Sequence, residues 1–262
     1  MTGVPAETTL AKEDSGDSFD LKVAGLSKSF RKTRVLSGVE FFIRKGEAVA
    51  LIGANGAGKS TLLRCCVRLV EPDTGSIRLL KKKVTGANRR ELRSLRTQVG
   101  FVFQKHNLIP RLSVLTNVLH GAQSRGRGPR FWLQGLAGSR DREEAMYCLE
   151  RVGLAHLAAK RADELSGGQS QRVAIARALM QRPRFMMADE PVASLDPQAG
   201  EEVMALFLDL IKREGLTLYY TSHNLEHALR YSDRILGIRN GRVALDAPSG
   251  AMNAKALREI YA

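Results

Sequence analysis

Residues 48–63 of the chain read AVALIGANGAGKSTLL and carry the pattern G-x-x-x-x-G-K-[ST] from Gly53 to Ser60. The apolar run before the pattern, Ala48 to Ile52, predicts a buried strand, and the segment from Lys59 to Leu69 suits a helix. Glycines let the backbone of such a loop turn its N–H groups toward phosphate oxygens, and the following helix adds its positive dipole end. The stretch therefore predicts strand, phosphate-binding loop and helix, the opening unit of an α/β fold.

Each residue type in the loop has a chemical reason to be there. Lys59 supplies a mobile cation for the β- and γ-phosphates of a nucleotide, and the hydroxyl of Ser60 can bind Mg²⁺. A glycine-rich turn before an ordinary helix is the alternative, but the strand before the loop and the helix after it make that alternative weak. The residues expected to bind the nucleotide here are Gly53, Ala54, Asn55, Gly56, Ala57, Gly58, Lys59, Ser60 and Thr61.

Two adjacent acids, Asp189 and Glu190, directly follow the predicted strand Phe185–Ala188. By itself, an apolar run before two acids usually marks only the end of a strand. If this strand emerges beside the phosphate loop, Asp189 is expected to hold Mg²⁺, and Glu190 is expected to orient and deprotonate the attacking water. Together, the acids and the loop predict a nucleotide-hydrolysis site.

The rest of the pattern alternates strands with helices, which predicts a mainly parallel α/β sheet. One helix is well marked, because Asp196 can cap its start, Pro197 occupies its first position and Gly215 follows its end. Asn240 and Gly241 lie between two apolar runs and predict a tight hairpin.

The chain divides into segments of different character. Residues 20–110 and 183–262 are expected to form a RecA-like ATP-binding core with an antiparallel β part. Residues 111–182, the helical block, are mostly helical in pattern and are expected to form an inserted subdomain. Residues 1–19 are polar and are expected to form a flexible tail.

The composition of the chain limits its possible functions and partners less than its motifs do. The chain has 262 residues, with 44% hydrophobic and 26% charged, which is ordinary for a globular protein that needs no disulfides. Its formal charge of +14 favours anionic partners without distinguishing nucleotide, nucleic acid and membrane surface. The three cysteines lack metal-ligand spacing, and no signal peptide or run of about 18 apolar residues is present. A membrane would therefore be reached only through partners.

The string LSGGQ at residues 165–169 predicts a second anion site. Ser166 can cap the helix that continues through the string, and Gly167 and Gly168 leave backbone N–H groups open at its start. With these motifs in this order, the chain resembles the ATP-binding cassette (ABC) ATPases from about residue 21 to about residue 250. The resemblance implies a head-to-tail dimer, in which ATP lies between the phosphate loop of one copy and Ser166, Gly167, Gly168 and Gln169 of the other.

Four further positions match the family individually. The resemblance implies that Gln104 contacts Mg²⁺ and the attacking water, although it is also an ordinary polar end of a strand. Asp196 matches an aspartate at the dimer interface, a role compatible with capping its helix. His223 matches the histidine that contacts the γ-phosphate and steadies Glu190, whereas a lone histidine after a strand is more often structural. Phe30 matches the aromatic that stacks on adenine, and core packing is its alternative.

The resemblance also implies cofactors and partners. The cofactors are ATP and Mg²⁺. The partners are a second copy of the chain, integral membrane permease subunits and, indirectly, a periplasmic or surface solute-binding protein, with no nucleic acid. The expected location is peripheral, on the cytoplasmic face of the cell inner membrane. The segment from Gln104 to LSGGQ is expected to dock the permease, and Trp132 is either an extra contact or part of a surface turn.

Several strings, including RLSVLTNVLHG and TSHNLEHAL, resemble the ATP-binding subunits of phosphonate importers. An ATP-hydrolysing subunit of such an importer is therefore the expected function. One alternative is another lone-cassette transporter, for lipoprotein release or amino-acid import. Others are a cassette attached to a carbon–phosphorus lyase complex and a soluble ABC protein acting on nucleic acid or ribosomes.

Overall fold

The computed structural model describes residues 19–125, residue 131 and residues 135–258. Residues 1–18 of the expected tail and Trp132 lie outside the described residues, while Phe19 belongs to a strand. In the described part of the chain the strands are β1 (Phe19–Phe30), β2 (Thr33–Arg44), β3 (Ala48–Ile52), β4 (Thr74–Leu79), β5 (Lys82–Lys83), β6 (Val99–Val102), β7 (Phe185–Ala188), β8 (Thr217–Thr221), β9 (Arg234–Arg239) and β10 (Arg242–Pro248). The α-helices there are α1 (Lys59–Cys66), α2 (Arg89–Arg96), α3 (Val114–Leu119), α4 (Ser139–Arg151), α5 (Gly167–Met180), α6 (Pro197–Arg213), α7 (Leu225–Tyr231) and α8 (Ala254–Arg258).

The larger sheet has the strand order β10-β9-β3-β8-β7-β6, and its strands from β9 to β6 pair in parallel. The edge strand β10 pairs antiparallel with β9 through a two-residue turn. Asn240 and Gly241 occupy that turn with φ of 50° and 71°, the positive values that a tight hairpin of this hand requires. The α/β fold class, the mainly parallel sheet and the hairpin are therefore confirmed.

The smaller sheet is antiparallel, with the order β2-β1-β4-β5. Strand β3 of the larger sheet separates two hydrophobic cores. Ala48, Ala50 and Ile52 point into a core with the helices of the helical block, α3, α4 and α5, whereas Val49 and Leu51 point into a core with α1 and the smaller sheet. Burial on both faces explains why this strand is a continuous apolar run rather than an alternating one.

Helix α6 follows its sequence signals closely. The side chain of Asp196 accepts a hydrogen bond from the N–H of Ala199 at 2.9 Å, Pro197 is the first helical residue, and Gly215 has φ of 61° just after the end. Helix α1 is shorter than expected, because it ends at Cys66 rather than Leu69.

The early end of α1 has a local cause. Arg68 adopts φ of 54°, which an α-helix cannot continue through, and its guanidinium donates hydrogen bonds to the carbonyls of Val84 and Ala87.

Helices α3, α4 and α5 pack against one another on one side of the larger sheet. On this helical layer, the carboxylate of Glu144 accepts hydrogen bonds from the guanidinium groups of Arg125 and Arg182. Among the described residues, no helix is long and apolar enough to span a bilayer.

Candidate functional site

The phosphate loop lies between β9 and the start of β2, and its glycines have no room for side chains. A Cβ atom on Gly53 would lie 2.4 Å from the carbonyl oxygen of Ile238, and one on Gly58 would lie 2.9 Å from Leu36. Both residues also have positive φ, at 152° and 102°. The loop therefore needs glycine at both ends, for space and for backbone conformation.

Lys59 is the first residue of α1 and is 5% exposed. Its ammonium donates to the carbonyl of Gly53 at 2.9 Å and to that of Ala54 at 3.3 Å. It also lies 3.7 Å from Oε1 of Glu190. The lysine thus connects the two ends of the site, and its cation stays within the loop where phosphates would enter.

The acid pair lies beside the loop because β7 runs next to β8 and β3 in the sheet. Asp189, which is 1% exposed, accepts hydrogen bonds from the hydroxyls of Ser60 at 2.8 Å and Thr221 at 3.0 Å. The backbone N–H of Glu190 donates to the hydroxyl of Thr221 at 2.8 Å. A hydroxyl and a buried carboxylate are thereby held side by side at the start of α1.

Glu190 is the point where the predicted catalytic residues meet. Its carboxylate lies 3.5 Å from Nε2 of Gln104 and 3.7 Å from Nδ1 of His223, in addition to the contact with Lys59. Its φ is 47°, a left-handed conformation that is uncommon for a residue with a long side chain. The backbone at this position directs the carboxylate into the space above the loop.

Two contributors to the site were not predicted. Thr221 ends β8, the neighbour of β7, so its position at the same sheet edge was available from the strand pattern. Arg64 lies 3.2 Å from Oδ2 of Asp189 and is four residues after Ser60, on the same face of α1. Its helical spacing from Ser60 is the signal that could have identified it.

The LSGGQ segment forms a capped helix start. The N–H of Gln169 donates to the hydroxyl of Ser166 at 3.3 Å, and the N–H of Ser166 donates to the side chain of Gln169 at 3.1 Å. A Cβ atom on Gly167 would lie 3.1 Å from Leu195, so this start packs against the segment that leads to Asp196. Within the described residues, no hydrogen bond or ion pair joins Ser166–Gln169 to the phosphate loop of the same chain.

The exposed fractions of the Phe30 and His223 side chains distinguish the predicted functional roles of these residues from their structural alternatives. Phe30 is 47% exposed, which excludes core packing, and the ammonium of Lys28 lies 5.3 Å from its ring centre. The side chain of His223 is 51% exposed, unlike that of a buried structural histidine. Asp196 caps α6, and together with Glu190 and His223 it lines a cavity of about 640 Å³.

The thiols of Cys65 and Cys66, close to the phosphate loop, are not reactive groups. Burial raises the pKa of Cys65 to about 11 and that of Cys66 well above its ordinary value. Both side chains are fully buried in the core beneath α1. They are therefore neutral packing groups rather than nucleophiles.

Comparisons with known proteins identify the family of the chain. A family model described as ABC transporter matches residues 36–193. The phosphonates import ATP-binding protein PhnC 2 of Oceanobacillus iheyensis is 42% identical over 245 residues, which cover 92% of this chain and 95% of that protein. The phosphonates import ATP-binding protein PhnC of Frankia casuarinae is 46% identical over 242 residues, covering 92% and 95%.

Solved structures are similar over nearly the whole chain. The structure of cbiO1 from Clostridium perfringens, part of the ABC transporter complex cbiONQ, gives a TM-score of 0.80 at 30% identity and covers 93% of this chain and 95% of that one. The dimeric post-hydrolysis structure of the cassette MJ0796, bound to ADP and Pi, gives 0.76 at 32% identity and covers 87% and 98%. The phosphate loop, the acid pair and these similarities lead to one conclusion: the chain belongs to the ABC transporter family, as a nucleotide-binding, ATP-hydrolysing subunit.

Proposed function

We propose that this chain energises an importer of phosphonates, and that the residues around Glu190 carry out the hydrolysis. The convergence of Lys59, Gln104 and His223 on one carboxylate, at distances of 3.5–3.7 Å, carries the proposal for the chemistry. The proposal for the substrate rests on the relatives, whose names describe phosphonate import and whose identity to this chain extends over 92% of its length.

In the proposed reaction, Glu190 acts as general base toward the attacking water. Its carboxylate is 16% exposed and can reach water, while the amide of Gln104 and the ring of His223 restrict where that water can lie. Lys59 releases its loop carbonyls and its ion pair with Glu190 to bind the β- and γ-phosphates. Lys59 then lies on the β- and γ-phosphates, and Glu190 takes a proton from the water whose oxygen bonds to the γ-phosphorus. ADP leaves as the bond between the γ-phosphorus and the bridging oxygen breaks.

The donor set around Asp189 fits Mg²⁺. The hydroxyl of Ser60 is 2.8 Å from the carboxylate of Asp189, and the side-chain oxygen of Gln104 is the third expected ligand. These hard oxygen donors are the type that Mg²⁺ prefers, usually with several waters retained. When bound, the ion would supply charge neutralisation for the phosphates.

We further propose that the working unit is a head-to-tail dimer. The capped helix start at Ser166–Gln169 offers backbone N–H groups to an anion, yet among the described residues it makes no polar bond with the phosphate loop of its own chain. A second copy would bring these groups to the γ-phosphate, with Asp196 at the interface and the exposed ring of Phe30 stacked on adenine.

ATP would stabilise the closed dimer, and hydrolysis would remove the γ-phosphate contacts that hold it closed. Integral membrane permease subunits would dock on the helical block and on the segment after Gln104, and this docking would hold the chain at the cytoplasmic face of the inner membrane. A periplasmic or surface solute-binding protein would act indirectly, by delivering the substrate to the permease.

Uptake of a labelled alkylphosphonate by phosphate-starved cells tests the proposal. The comparison uses wild-type cells, a deletion of the gene, and the deletion complemented with the wild-type or the Glu190→Gln chain. Uptake should require the wild-type chain and should fail with the variant. Uptake that persists in the deletion, with no second uptake system expressed, would refute the substrate, while normal uptake with Glu190→Gln would refute the catalytic role.

A further inference from the structure

The smaller sheet has one covered face and one open face. The residues of β1 and β4 that point into the core with α1 are Leu21, Val23, Ile77 and Leu79, each at most 2% exposed. Lys22 and Arg78 lie between them in the two strands and are exposed. Because side chains alternate along a strand, these two cations point away from the core, on the open face.

Three cations lie in register on that open face. Lys22 is paired with Arg78 where β1 meets β4, and Arg78 is paired with Lys83 where β4 meets β5. Lys83 is also exposed. Directly opposed residues of antiparallel strands have Cβ atoms about 4.5–5.5 Å apart on the same face. Lys22, Arg78 and Lys83 therefore form one line across three strands, which we call the cation row.

The protein does not neutralise the cation row. In the part of the chain that the structure describes, none of its three residues has an ion-pair partner, and the ammonium of Lys22 lies 6.0 Å from the centre of the Phe19 ring. The strands of the smaller sheet contain two acids. Asp20 accepts a hydrogen bond from Thr217 of the larger sheet, and Glu40 lies on β2, which does not adjoin β4 or β5. Like charges directly opposite one another destabilise a sheet, so the row is suited to an anion from outside the chain.

The region around the cation row holds much of the charge of the whole chain. Residues 78–96 contain eight lysines and arginines against one acid, Glu91, a net charge of +7, which is half of the formal +14. Helix α2 contributes three exposed cations to this count, Arg89, Arg90 and Arg93. Its buried side chains belong to the same core as the smaller sheet. The excess of positive charge is therefore local, and it favours a partner with many negative charges.

The aromatic rings beside the row favour a lipid surface over a nucleic acid. Sheets that bind single-stranded nucleic acid stack its bases on open aromatic rings. Phe42 is paired with Lys22 from β2, but the guanidinium carbons of Arg44 and Arg234 lie 4.9 and 4.7 Å from its ring centre, and the ring of Phe19 lies 4.8 Å from it. Protein groups thus already occupy this ring. An anionic bilayer needs only accessible cations on an open face.

The cation row is well separated from the nucleotide site. Lys22 and Phe30 both lie on β1, eight residues apart, which is about 25 Å at about 3.3 Å per residue. A surface that binds the row therefore leaves the end of β1 beside the nucleotide open.

We propose that the cation row binds anionic lipid headgroups of the bilayer, as an attachment of this subunit to the membrane in addition to the permease. The inference rests on the proposed function, which brings the chain to the membrane. One Lys or Arg near an anionic membrane strengthens binding about fivefold, so three together should contribute about 100-fold. The attraction should weaken with salt, because it falls off within a Debye length of about 10 Å at 0.1 M.

Sedimentation of the full-length chain with lipid vesicles tests the cation row. The vesicles consist of phosphatidylcholine alone or of phosphatidylcholine mixed with anionic phosphatidylglycerol. The wild-type chain should bind the mixed vesicles and should bind them more weakly as salt rises. The triple variant Lys22→Gln, Arg78→Gln, Lys83→Gln should lose affinity for the mixed vesicles about 100-fold.

The matched control is the triple variant Arg140→Gln, Lys212→Gln, Lys255→Gln. These three cations are also exposed, and they lie on α4, α6 and α8, which pack in the other core. The control loses the same charge and should keep its affinity within about threefold, because charges further away than a Debye length are screened.

Two measurements show whether the row variant is intact. Its ATP hydrolysis in the absence of vesicles should equal that of the wild type, because the row is remote from the nucleotide. Its midpoint of unfolding in urea should be no lower than that of the wild type, because the substitutions remove opposed like charges. A merely structural role of the row would lower this midpoint.

Three results would overturn the inference: no binding of the wild-type chain to the mixed vesicles, an equal loss of affinity in both triple variants, or tighter binding to nucleic acid than to the vesicles at the same salt. The assay contains no permease, phosphonate or ATP, so these failures leave the proposed function untouched. Loss of the proposed function would appear instead in the uptake experiment, with vesicle binding unchanged.

Discussion

Replacement of Glu190 by Gln is the sharpest test of the catalytic geometry, because it keeps the shape of the side chain and removes its negative charge and its basicity. The amide would occupy the same space, close to Lys59, Gln104 and His223. A positioned general base contributes about 10²- to 10⁴-fold to a rate, which corresponds to about 2.7–5.4 kcal/mol in the barrier. We therefore expect kcat to fall by that factor.

Nucleotide affinity should respond in the opposite sense. At the observed separation of 3.7 Å, the gross Coulomb attraction between Lys59 and Glu190 is about 4–5 kcal/mol at an effective dielectric constant of about 20. The variant removes this competition for the ammonium, and it also removes a negative charge beside the triphosphate. ATP should therefore bind at least as tightly as in wild type, and the ATP-bound dimer should accumulate.

The assay combines single-turnover hydrolysis, equilibrium ATP binding and size-exclusion chromatography with and without ATP. Glu214→Gln is the matched control, because its carboxylate pairs with Arg151 outside the site, and it should behave as wild type. Hydrolysis by Glu190→Gln within about threefold of the wild-type rate would refute the general-base role. Loss of ATP binding would refute the competition with Lys59.

Three other outcomes are expected. Lys59→Ala should weaken ATP binding about tenfold or more, by loss of a charge-assisted contact, and unchanged affinity in equilibrium binding would contradict the loop assignment. Gly121→Ala should lower the free energy of unfolding by about 1–3 kcal/mol in urea, because its Cβ would meet the carbonyl of Arg177 at 2.0 Å; an unchanged midpoint would show that the helices can separate there. Burial alone would raise the pKa of Glu144, but hydrogen bonds from two arginine side chains outweigh it and hold the pKa below its ordinary value of 4.5. Its stabilisation is therefore present above that pH and lost below it, so Glu144→Gln should cost about 1 kcal/mol near pH 7 and less near pH 3.5, and a pH-independent cost would argue against the ion pair.

The sequence could predict the parts of the fold that depend on local chemistry. The strand before the phosphate loop, the capped start of α6 and the Asn240-Gly241 hairpin each rest on a few neighbouring residues, and each is present. The end of α1 depends instead on Arg68, whose side chain bonds to carbonyls 16 and 19 residues away. No local pattern contains that information.

The candidate site divides in the same way. Lys59, Asp189 and Glu190 lie in motifs whose residue types indicate phosphate binding and hydrolysis. They lie close together because β3 and β7 are separated by only one strand, β8, in the parallel sheet. Thr221 and Arg64 carry no motif of their own, and only a strand end and a helical spacing from Ser60 indicate them in the sequence. Their hydrogen bond and ion pair with Asp189 needed the structure. The hydrogen bond from the guanidinium of Arg177 on α5 to the carbonyl of Asn107 joins residues 70 positions apart, and it could be found only from the structure.

The left-handed backbone at Glu190 has a consequence for protein engineering. A residue with a long side chain held at φ of 47° costs about 1 kcal/mol or more, a penalty that Gly or Asn largely escapes. A screen that selects for thermal stability alone would therefore favour Gly or Asn at position 190. We expect such variants to be more stable than the wild type and to lose ATP hydrolysis. Directed evolution of this chain needs a selection for phosphate release in every round, because one of its strained, left-handed positions is the residue that we propose as the general base.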